Sequence, residues 1–430
     1  MGEVFRIRSN GRVNGARPSV PRSGLITALD VGSSKVICII GRAEQGGIRV
    51  LGSAVRESRG IRSGTVVNLD LAEQSIGETV EAAEELADQR VQDVVLSVQC
   101  GHPKSINARA EASGSNVIVS DAHLRMLLAD AKSRCSETGL EAIQAAPTEY
   151  VVDQTRGISD PRNMVCDRLG VSVHAVAVRS APLQNLRLAV ERRQLTISRQ
   201  LFASYASAIA TLTPDEMSLG VTLIDMGAGC TSVCVFRENA LVHADTLAAG
   251  GMDVTKDIAF MLSTPLAAAE RIKTLYGSAL GESDSGEDLI EVPLMGEEGE
   301  RANTRVRRAH VAKIIRARID DVFGSIRERL EKSGFDVSAG RRAVLTGGAS
   351  QLAGVRDVAA GILNKQVRLG TPQSFPGLAA SCTGPGCATA LGLLVSAATT
   401  EAELTDPTPP AIATQTRNGI AQWITERFFG

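Results

Sequence analysis

Three glycine-bearing turns in this chain combine residue types that could hold an anion beside a cation. The first is Asp30-Val31-Gly32-Ser33-Ser34-Lys35, and the second is Asp225-Met226-Gly227-Ala228-Gly229-Cys230-Thr231. In both, an Asp closes an apolar run, and the small residues after it let backbone N–H groups converge on one point. Such a nest suits phosphate oxygens, and the Asp beside it can hold Mg2+ directly or through water. The third turn, Thr346-Gly347-Gly348-Ala349-Ser350, follows an apolar run and precedes a helical pattern. Its missing side chains would let a flat ring approach the backbone. A single D-x-G turn is common between strands and means little. Two of them, followed by a late T-G-G turn, form a far more specific set. The chain has no G-x-x-x-x-G-K-[ST] and no G-x-G-x-x-G opening a helix, so the P-loop and Rossmann readings fail.

The elements that must position these turns can be read around them. Residues 26–30 and 35–41 predict two strands joined by the first turn, with a third strand at 48–54. Residues 221–226 and 230–237 repeat that layout about 195 residues later, which predicts two related halves. Residues 70–90 predict a helix with Leu71, Ile76, Val80, Ala83 and Leu86 near one face, followed by a strand at 91–100. Residues 101–180 differ: polar loops, one helix near 121–134 and strands at 149–153 and 171–179. This is the pattern of an insertion into a larger α/β framework, which resumes with a helix at 182–192. Residues 281–300 carry eight acidic residues and read as a solvated loop. The next 18 residues carry seven Lys or Arg and lead into a helix over 305–332. Its expected buried stripe is Val311, Ile314, Ile315, Ile319, Val322, Ile326 and Leu330. A strand at 342–345, a helix from 351 to 363 and an apolar helix at 388–398 complete the folded body.

Composition sets the outer limits. The 430 residues hold 46 Lys and Arg against 48 Asp and Glu, a net charge of -2, which argues against a protein that coats nucleic acid. With 43% hydrophobic and 22% charged residues the chain is globular, and its length implies two or more compact units. The eight cysteines form no C-x-x-C pair; the nearest spacings are Cys230 to Cys234 and Cys382 to Cys387, with no His beside either. They read as reduced thiols of a cytoplasmic protein. His102, His123, His174, His243 and His310 are scattered singly and read as structural or solvated. Residues 1–23 carry five Arg and no apolar h-region, so they read as a disordered basic arm and not a signal peptide. Residues 399–417, with Pro407, Pro409 and Pro410, read as a linker. Beyond it Ile420, Trp423, Ile424 and Phe428 fall at helical spacing. A helix docked on the protein's own core is one reading. The linker favours the other, an amphipathic helix lying in a membrane interface.

The two D-x-G hairpins and the late T-G-G turn resemble the phosphate and adenosine motifs of the actin–Hsp70–sugar kinase superfold. Within it, nearly all of residues 25–430 are similar to the FtsA family of bacterial cell-division proteins. The similarity rests on Ser58-Arg59-Gly60-Ile61 with Gly64, and on Pro147-Thr148-Glu149-Tyr150-Val151-Val152-Asp153. It also rests on Asp257-Ile258-Ala259 with Thr264-Pro265, on Ala269-Glu270-Arg271-Ile272-Lys273, and on Ala388-Thr389-Ala390-Leu391-Gly392-Leu393. The resemblance implies an α/β fold of two actin-like lobes, built from duplicated βββαβα-type domains around a nucleotide cleft, plus an inserted α+β subdomain. It assigns residues 24–100, 181–214 and 374–398 to the first lobe and 101–180 to the insertion. Residues 215–248 and 333–373 form the second lobe, 249–332 its smaller subdomain, and 418–430 a membrane-targeting helix.

The resemblance also implies a site. Asp30, Gly32, Ser33, Ser34 and Lys35 would hold the β- and γ-phosphates of ATP. Asp225, Gly227, Ala228 and Gly229 would form the second phosphate loop, with Asp225 and Asp30 facing Mg2+. Gly347, Gly348 and Ala349 would line the adenosine, and Gly250 and Gly251 would approach from the other lobe. Cys230 stands where the superfold usually has Thr. Ile420, Trp423, Ile424 and Phe428 would enter the inner-membrane lipids from the cytoplasmic side. Arg307, Arg308, Val311, Lys313 and Ile314 would receive the C-terminal tail of FtsZ, against the plainer reading of a solvated helix face. Further copies in a filament and later division proteins are the other implied partners, and nucleic acid is not among them. In the superfold a Glu or Gln on the connecting helix orients the attacking water. Counting through residues 192–213 puts Ser204 or a near neighbour there, with Gln200 one turn away, so slow or negligible hydrolysis is expected. Two rivals remain: a pilus-assembly or shape-determining relative, and a sugar kinase or phosphatase, for which no further carboxylate is obviously placed. A chaperone ATPase would need a long domain after residue 398, where only about 30 residues follow.

Overall fold

A computed structural model describes residues 24–44, 47–280, 288–297, 303–336 and 340–398. The basic arm at 1–23, the linker at 399–417 and the helix expected at 418–430 lie outside these described residues. Strands β1 (Leu25–Val31) and β2 (Lys35–Glu44) form an antiparallel hairpin, and β3 (Gly47–Glu57) pairs with β2. Leu29, Cys38 and Ile40 enter one core cluster, while Ile26, Ala28, Ile37 and Ile39 enter another. Both faces of the sheet are therefore covered, which explains why these strands read as unbroken apolar runs and not as alternating patterns. A small hairpin follows, β4 (Ile61–Arg62) with β5 (Thr65–Val66), and then helix α1 (Leu69–Ala87) and strand β6 (Asp93–Val98).

The chain next leaves the framework. Strand β7 (Lys104–Ile118), helix α2 (Asp121–Ser133) and strands β8 (Leu140–Val152), β9 (Thr155–Ile158) and β10 (Val165–Arg179) form a separate sheet in the order β7-β10-β8-β9, with α2 packed on it. It returns through α3 (Ser180–Glu191), β11 (Thr196–Phe202), α4 (Ala203–Thr211) and α5 (Pro214–Leu219). The second half holds β12 (Val221–Met226), β13 (Thr231–Arg237) and β14 (Ala240–Leu247), then α6 (Gly251–Leu262) and α7 (Leu266–Tyr276). Strands β15 (Leu289–Pro293) and β16 (Asn303–Arg307) pair beside the long helix α8 (Arg308–Ser333). The remainder is β17 (Arg342–Thr346), a 3-10 turn at Gly348–Gln351, α9 (Val355–Leu363), β18 (Gln366–Leu369) and α10 (Ala388–Ala398).

The repeat expected from the turns is written into the sheets. One runs β3-β2-β1-β6-β11 and the other β14-β13-β12-β17-β18. In each, the first three strands form an antiparallel meander, and two parallel strands extend it from the first strand's free edge. Each parallel addition brings a strand end to the same rim of the sheet as an Asp turn, the rim where ligands bind in open α/β sheets.

Several local expectations need correction. Leu71 and Leu86 of α1 are exposed at 39% and 65%, while Ala72, Ile76, Val80 and Ala83 are buried. The true stripe follows the 4-4-3 spacing, and the two leucines lie off its axis. The polar stretch at 104–118 is not loop but a 15-residue strand, its inward positions held by Ile106 and Ala110. The acidic segment contains β15, with Ile290 and Val292 turned inward. Helix α8 starts at Arg308 and not at 305, because Thr304 and Val306 alternate with exposed neighbours as a strand. The helix expected from 351 begins at Val355, after the 3-10 turn.

Candidate functional site

The two Asp turns are built alike. Gly32 N donates to Lys35 O at 3.0 Å, and Gly227 N donates to Cys230 O at 2.9 Å, so each hairpin closes on the same bond. Each Asp is also fixed by a serine hydroxyl, from β6 for the first and from α4 for the second. Ser97 Oγ donates to Asp30 Oδ1 at 2.7 Å, and Ser207 Oγ donates to Asp225 Oδ2 at 2.6 Å. The hairpins meet tip to tip: a Cβ on Gly229 would stand 2.6 Å from Ser33 Oγ and 2.9 Å from the Cα of Ser63. Ser33 Oγ in turn accepts from Gly64 N at 2.9 Å, which locates the role of the glycine after Ser58-Arg59-Gly60-Ile61.

Between the halves lies a cavity of about 830 Å3. It is lined by all fourteen residues that the sequence singled out: Asp30, Gly32, Ser33, Ser34, Lys35, Asp225, Gly227, Ala228, Gly229, Gly250, Gly251, Gly347, Gly348 and Ala349. Burial pushes the Asp30 carboxyl up to about 6, against the Ser97 hydrogen bond that lowers it; Asp225 nearby raises it further. Asp225 is raised as well, again chiefly by burial, with the Ser207 bond and the Lys35 charge opposing. Two desolvated carboxylates facing one space are held apart from water at a cost that a bound cation would offset. The second oxygen of Asp30 takes part in no hydrogen bond among the described residues, and hard oxygen donors of this kind fit Mg2+. The Lys35 ammonium likewise makes no ion pair among the described residues, which leaves it available to an anion.

Gly347 has a φ of +86°, and a Cβ there would stand 2.5 Å from Asp225 Oδ1 and from Met226 O. Only glycine satisfies both demands, the left-handed backbone and the close approach. Gly348 faces open space within the cavity. Gly250 and Gly251 do something other than present N–H groups to a ligand. The Gly251 and Met252 amides at the start of α6 donate to the carbonyls of Gly227 and Ala228, at 3.0 and 2.8 Å. They brace the second loop from behind.

Other lining residues went unassigned in the sequence. Lys273 Nζ donates to Gly251 O at 3.0 Å, Thr255 Oγ1 at 2.9 Å and Glu270 Oε2 at 2.7 Å, so the Glu270/Lys273 pair of α7 anchors the start of α6. Their spacing of three on a helix was the available signal. Gln99 lines the cavity floor with its Nε2 on Ser232 Oγ and its Oε1 buried without a hydrogen bond.

Two site expectations are corrected, the helical placing of Gln200 and the groove at Val311 and Ile314. Gln200 lies on β11, not on a helix, and its Oε1 accepts from Arg187, which also binds Glu141. It is not among the residues that line the cavity, and Ala203 at the start of α4 lines the wall instead. Ser204 is buried beside Asp225, with no hydrogen bond of normal geometry from its Oγ. Val311 and Ile314, expected in a partner groove, are 0% and 8% exposed and belong to the core of the second half. Arg308 points to Tyr276 O at 3.1 Å and lines the central cavity, leaving Arg307 and Lys313 as the exposed members of that set.

Comparison with known proteins bears on this geometry. The family profile described as "Cell division protein FtsA" matches residues 222–392, and that described as "SHS2 domain inserted in FTSA" matches residues 100–177. The cell division protein FtsA of Rhizobium meliloti (strain 1021) is 39% identical over 387 residues, covering 87% of each chain. That of Neisseria meningitidis serogroup B is 34% identical, covering 94% of this chain and 98% of its own. Among solved structures, the PilM–PilN type IV pilus biogenesis complex matches with a TM-score of 0.61 at 16% identity, covering 87% of this chain and 98% of that one. MreB5 of Spiroplasma citri bound to ADP matches with a TM-score of 0.53 at 10% identity, covering 87% and 95%. The structural likenesses establish an actin-like fold, with the sheet β7-β10-β8-β9 as its insertion. On the sequence relationships, this chain belongs to the FtsA family of cell-division proteins.

Proposed function

We propose that this chain is an ATP-binding, actin-like division protein that polymerises on the cytoplasmic face of the inner membrane, tethers the FtsZ ring there and recruits later division proteins. The observation that carries the reading is the convergence of both Asp turns and the T-G-G turn on one cavity. In this reading Ser33, Ser34 and Lys35 take the β- and γ-phosphates, the second loop cradles them from the opposite half, and Gly347–Ala349 admit the adenosine. Asp225 and Asp30 would hold Mg2+, whose charge neutralises the phosphates. MreB5 structures of the same fold carry ADP or AMPPNP, which supports a nucleotide in this place. With Ala203 on the wall and Gln200 engaged elsewhere, neither residue can orient an attacking water. Phosphate release by the purified protein should therefore be slow. Rapid turnover would restore the enzyme reading.

The membrane role rests on the spacing of Ile420, Trp423, Ile424 and Phe428. No helix among the described residues is long and apolar enough to cross a membrane. Burying four large apolar side chains contributes roughly 6–10 kcal/mol. Ordering about 11 residues costs on the order of 1 kcal/mol each. The terms nearly cancel, so one tail binds weakly and a polymer tightly. Trp423→Glu should release the protein from liposomes; retention of that variant would shift attachment to the basic arm at 6–22.

For the FtsZ tail, an acidic and hydrophobic peptide, exposed Arg307 and Lys313 supply the charge. Leu289, 52% exposed and directly opposite Arg307 across β15 and β16, supplies an apolar neighbour. Arg307→Glu should weaken binding of a fluorescent tail peptide; unchanged binding would move the site. The insertion is proposed to make the filament contact. Excising it whole would also remove Ile143, Val176 and Val178 from the first core. Arg156→Glu on the exposed edge strand β9 is therefore the sharper test, with loss of filaments and intact ATP binding as the expected result.

A further inference from the structure

Residues 99–105 carry the chain from β6 into the insertion, and both ends of this short stretch are bonded to the second lobe. At the cavity floor, Gln99 Nε2 donates to Ser232 Oγ on β13, which bonds in turn with Thr246 Oγ1 on β14 at 2.8 Å. At the other end Ser105, the second residue of β7, sets its hydroxyl on the backbone of Ala244. Its Oγ donates to Ala244 O at 3.0 Å and accepts from Ala244 N at 2.7 Å. Nε2 of His174 on β10, a residue only 2% exposed, lies 2.8 Å from the same oxygen. A serine hydroxyl has one donor and two acceptor positions, and here all three are used. Between the two ends Gly101 and His102 both take a positive φ, +76° and +53°, and Arg179 N donates to Gly101 O at 2.9 Å. The entry and the exit of the insertion thus meet at one point.

These contacts tie the insertion to both lobes. β14 is an edge of the second sheet, and an edge strand presents N–H and C=O groups that need partners. Ala244 is 1% exposed, so water cannot supply them, and Ser105 does. Apolar packing follows the same route: Ile143, Val176 and Val178 of the insertion share one core cluster with Leu241 and Ala244. Elsewhere the insertion is held by the first lobe, where Arg187 Nη1 of α3 donates to Glu141 Oε2 of β8 at 3.0 Å. The insertion cannot keep both sets of bonds unchanged if the lobes turn relative to one another.

We propose that the Ser105 clamp makes the insertion follow the state of the cleft. A nucleotide held between the two hairpins moves β13 and β14 relative to the first lobe, and Ser105 carries that movement into the orientation of the insertion sheet. Gln99 is the first link, because it lines the cavity and bonds to Ser232, two residues beyond Cys230 of the second loop. Small shifts at a site become larger movements elsewhere when a packed, rigid element has to take one of two arrangements. The insertion sheet is such an element.

The response to nucleotide rests on the cleft reading above; the clamp itself does not. All eight cysteines are buried, so cysteines introduced on the surface can be labelled selectively. Full-length protein carrying Arg125→Cys on α2 and Gln366→Cys on β18, both exposed positions, is spin-labelled there. The distance between the labels is then measured by pulsed electron paramagnetic resonance with and without Mg-ATP. It should shift when Mg-ATP is added. Ser105→Ala should still bind Mg-ATP by calorimetry, but its distance distribution should be broad and should not respond. Ser105→Thr, which keeps the hydroxyl, should restore the shift. Should Ser105→Ala fail to fold, His174→Gln, which disturbs only the third bond, should shrink the shift, and an undiminished shift would count against the clamp. A full shift in Ser105→Ala would overturn the proposal, and so would an unmoved distance in a parent that binds Mg-ATP. If the parent bound no nucleotide, the cleft reading would fail instead, and the distributions without nucleotide would decide the clamp. They should be broader in Ser105→Ala than in the parent if Ser105 holds the insertion, and identical if it does not.

Discussion

The two Asp hairpins share a scaffold and divide the chemistry. Both close with a Gly N–H on the carbonyl three residues on, and both fix their Asp with a serine hydroxyl. The first then offers Ser33, Ser34 and Lys35, which is to say hydroxyls and a full positive charge. The second offers Ala228, Gly229 and Cys230, with little beyond backbone and a buried thiol. Duplication thus preserved the geometry of the nest and left the side chains free to differ. The difference teaches that the first hairpin supplies charge, while the second supplies closeness: it can approach Ser33 and Ser63 only because Gly229 has no side chain.

The comparison can be broken hardest where space is shortest. Gly347→Arg should abolish ATP binding, because its Cβ already collides with Asp225 Oδ1 and Met226 O at a φ of +86°. A folded variant, checked by circular dichroism, that bound labelled ATP would remove the T-G-G turn from the site. Gly229→Val should come next, since the added carbons press on the tip of the first hairpin and keep the halves apart. Loss of ATP affinity by about 100-fold is expected, against near-normal affinity if the tips do not need to meet. Lys35→Ala tests the claim that charge resides in the first hairpin, and should cost ~10–100-fold by removing a charge-assisted contact. Cys230→Thr tests the opposite hairpin and should change affinity by less than about fivefold, the scale of one neutral hydrogen bond.

A pH series sharpens the same contrast. The pKa of Asp30 is about 6 in the fold against an ordinary value of 3.8, so the ligand-free protein binds more protons than its unfolded chain between those values. The stability of the ligand-free protein linked to this group therefore falls as pH rises from about 4 to about 6. Mg2+ needs the ionised form, so the rise in melting temperature given by Mg-ATP should be larger at pH 7.5 than at pH 5.5. An equal rise at both would mean that Asp30 is not near the cation.

The residues that line the candidate cavity were legible in the sequence, because turns that shape backbone carry their meaning in Gly and Asp themselves. Residues whose role depends on which way a helix or strand faces were not. Val311 and Ile314 have the same side chains whether they line a groove or a core, and only the packing of α8 against α6 decides. Arg318 bound to Asp257 at 2.6 and 2.9 Å fixes that packing, and it also explains the Asp257-Ile258-Ala259 motif. Gln200 was miscounted because the stretch before α4 is a strand at an edge of its sheet, with Thr196, Ser198 and Arg199 giving it no apolar alternation. Strand β7 was missed for a related reason: its inward positions are filled partly by alanine, which signals neither strand nor core.

The central claim is that the two hairpins hold one Mg-nucleotide between them. Titration calorimetry of ATP into the full-length protein, with and without Mg2+, for the parent and for Asp225→Ala, tests it most directly. The parent should bind ATP far more tightly with Mg2+ than without, and Asp225→Ala should lose that dependence together with most of the affinity. Equal binding by Asp225→Ala, with the same dependence on Mg2+, would contradict the account.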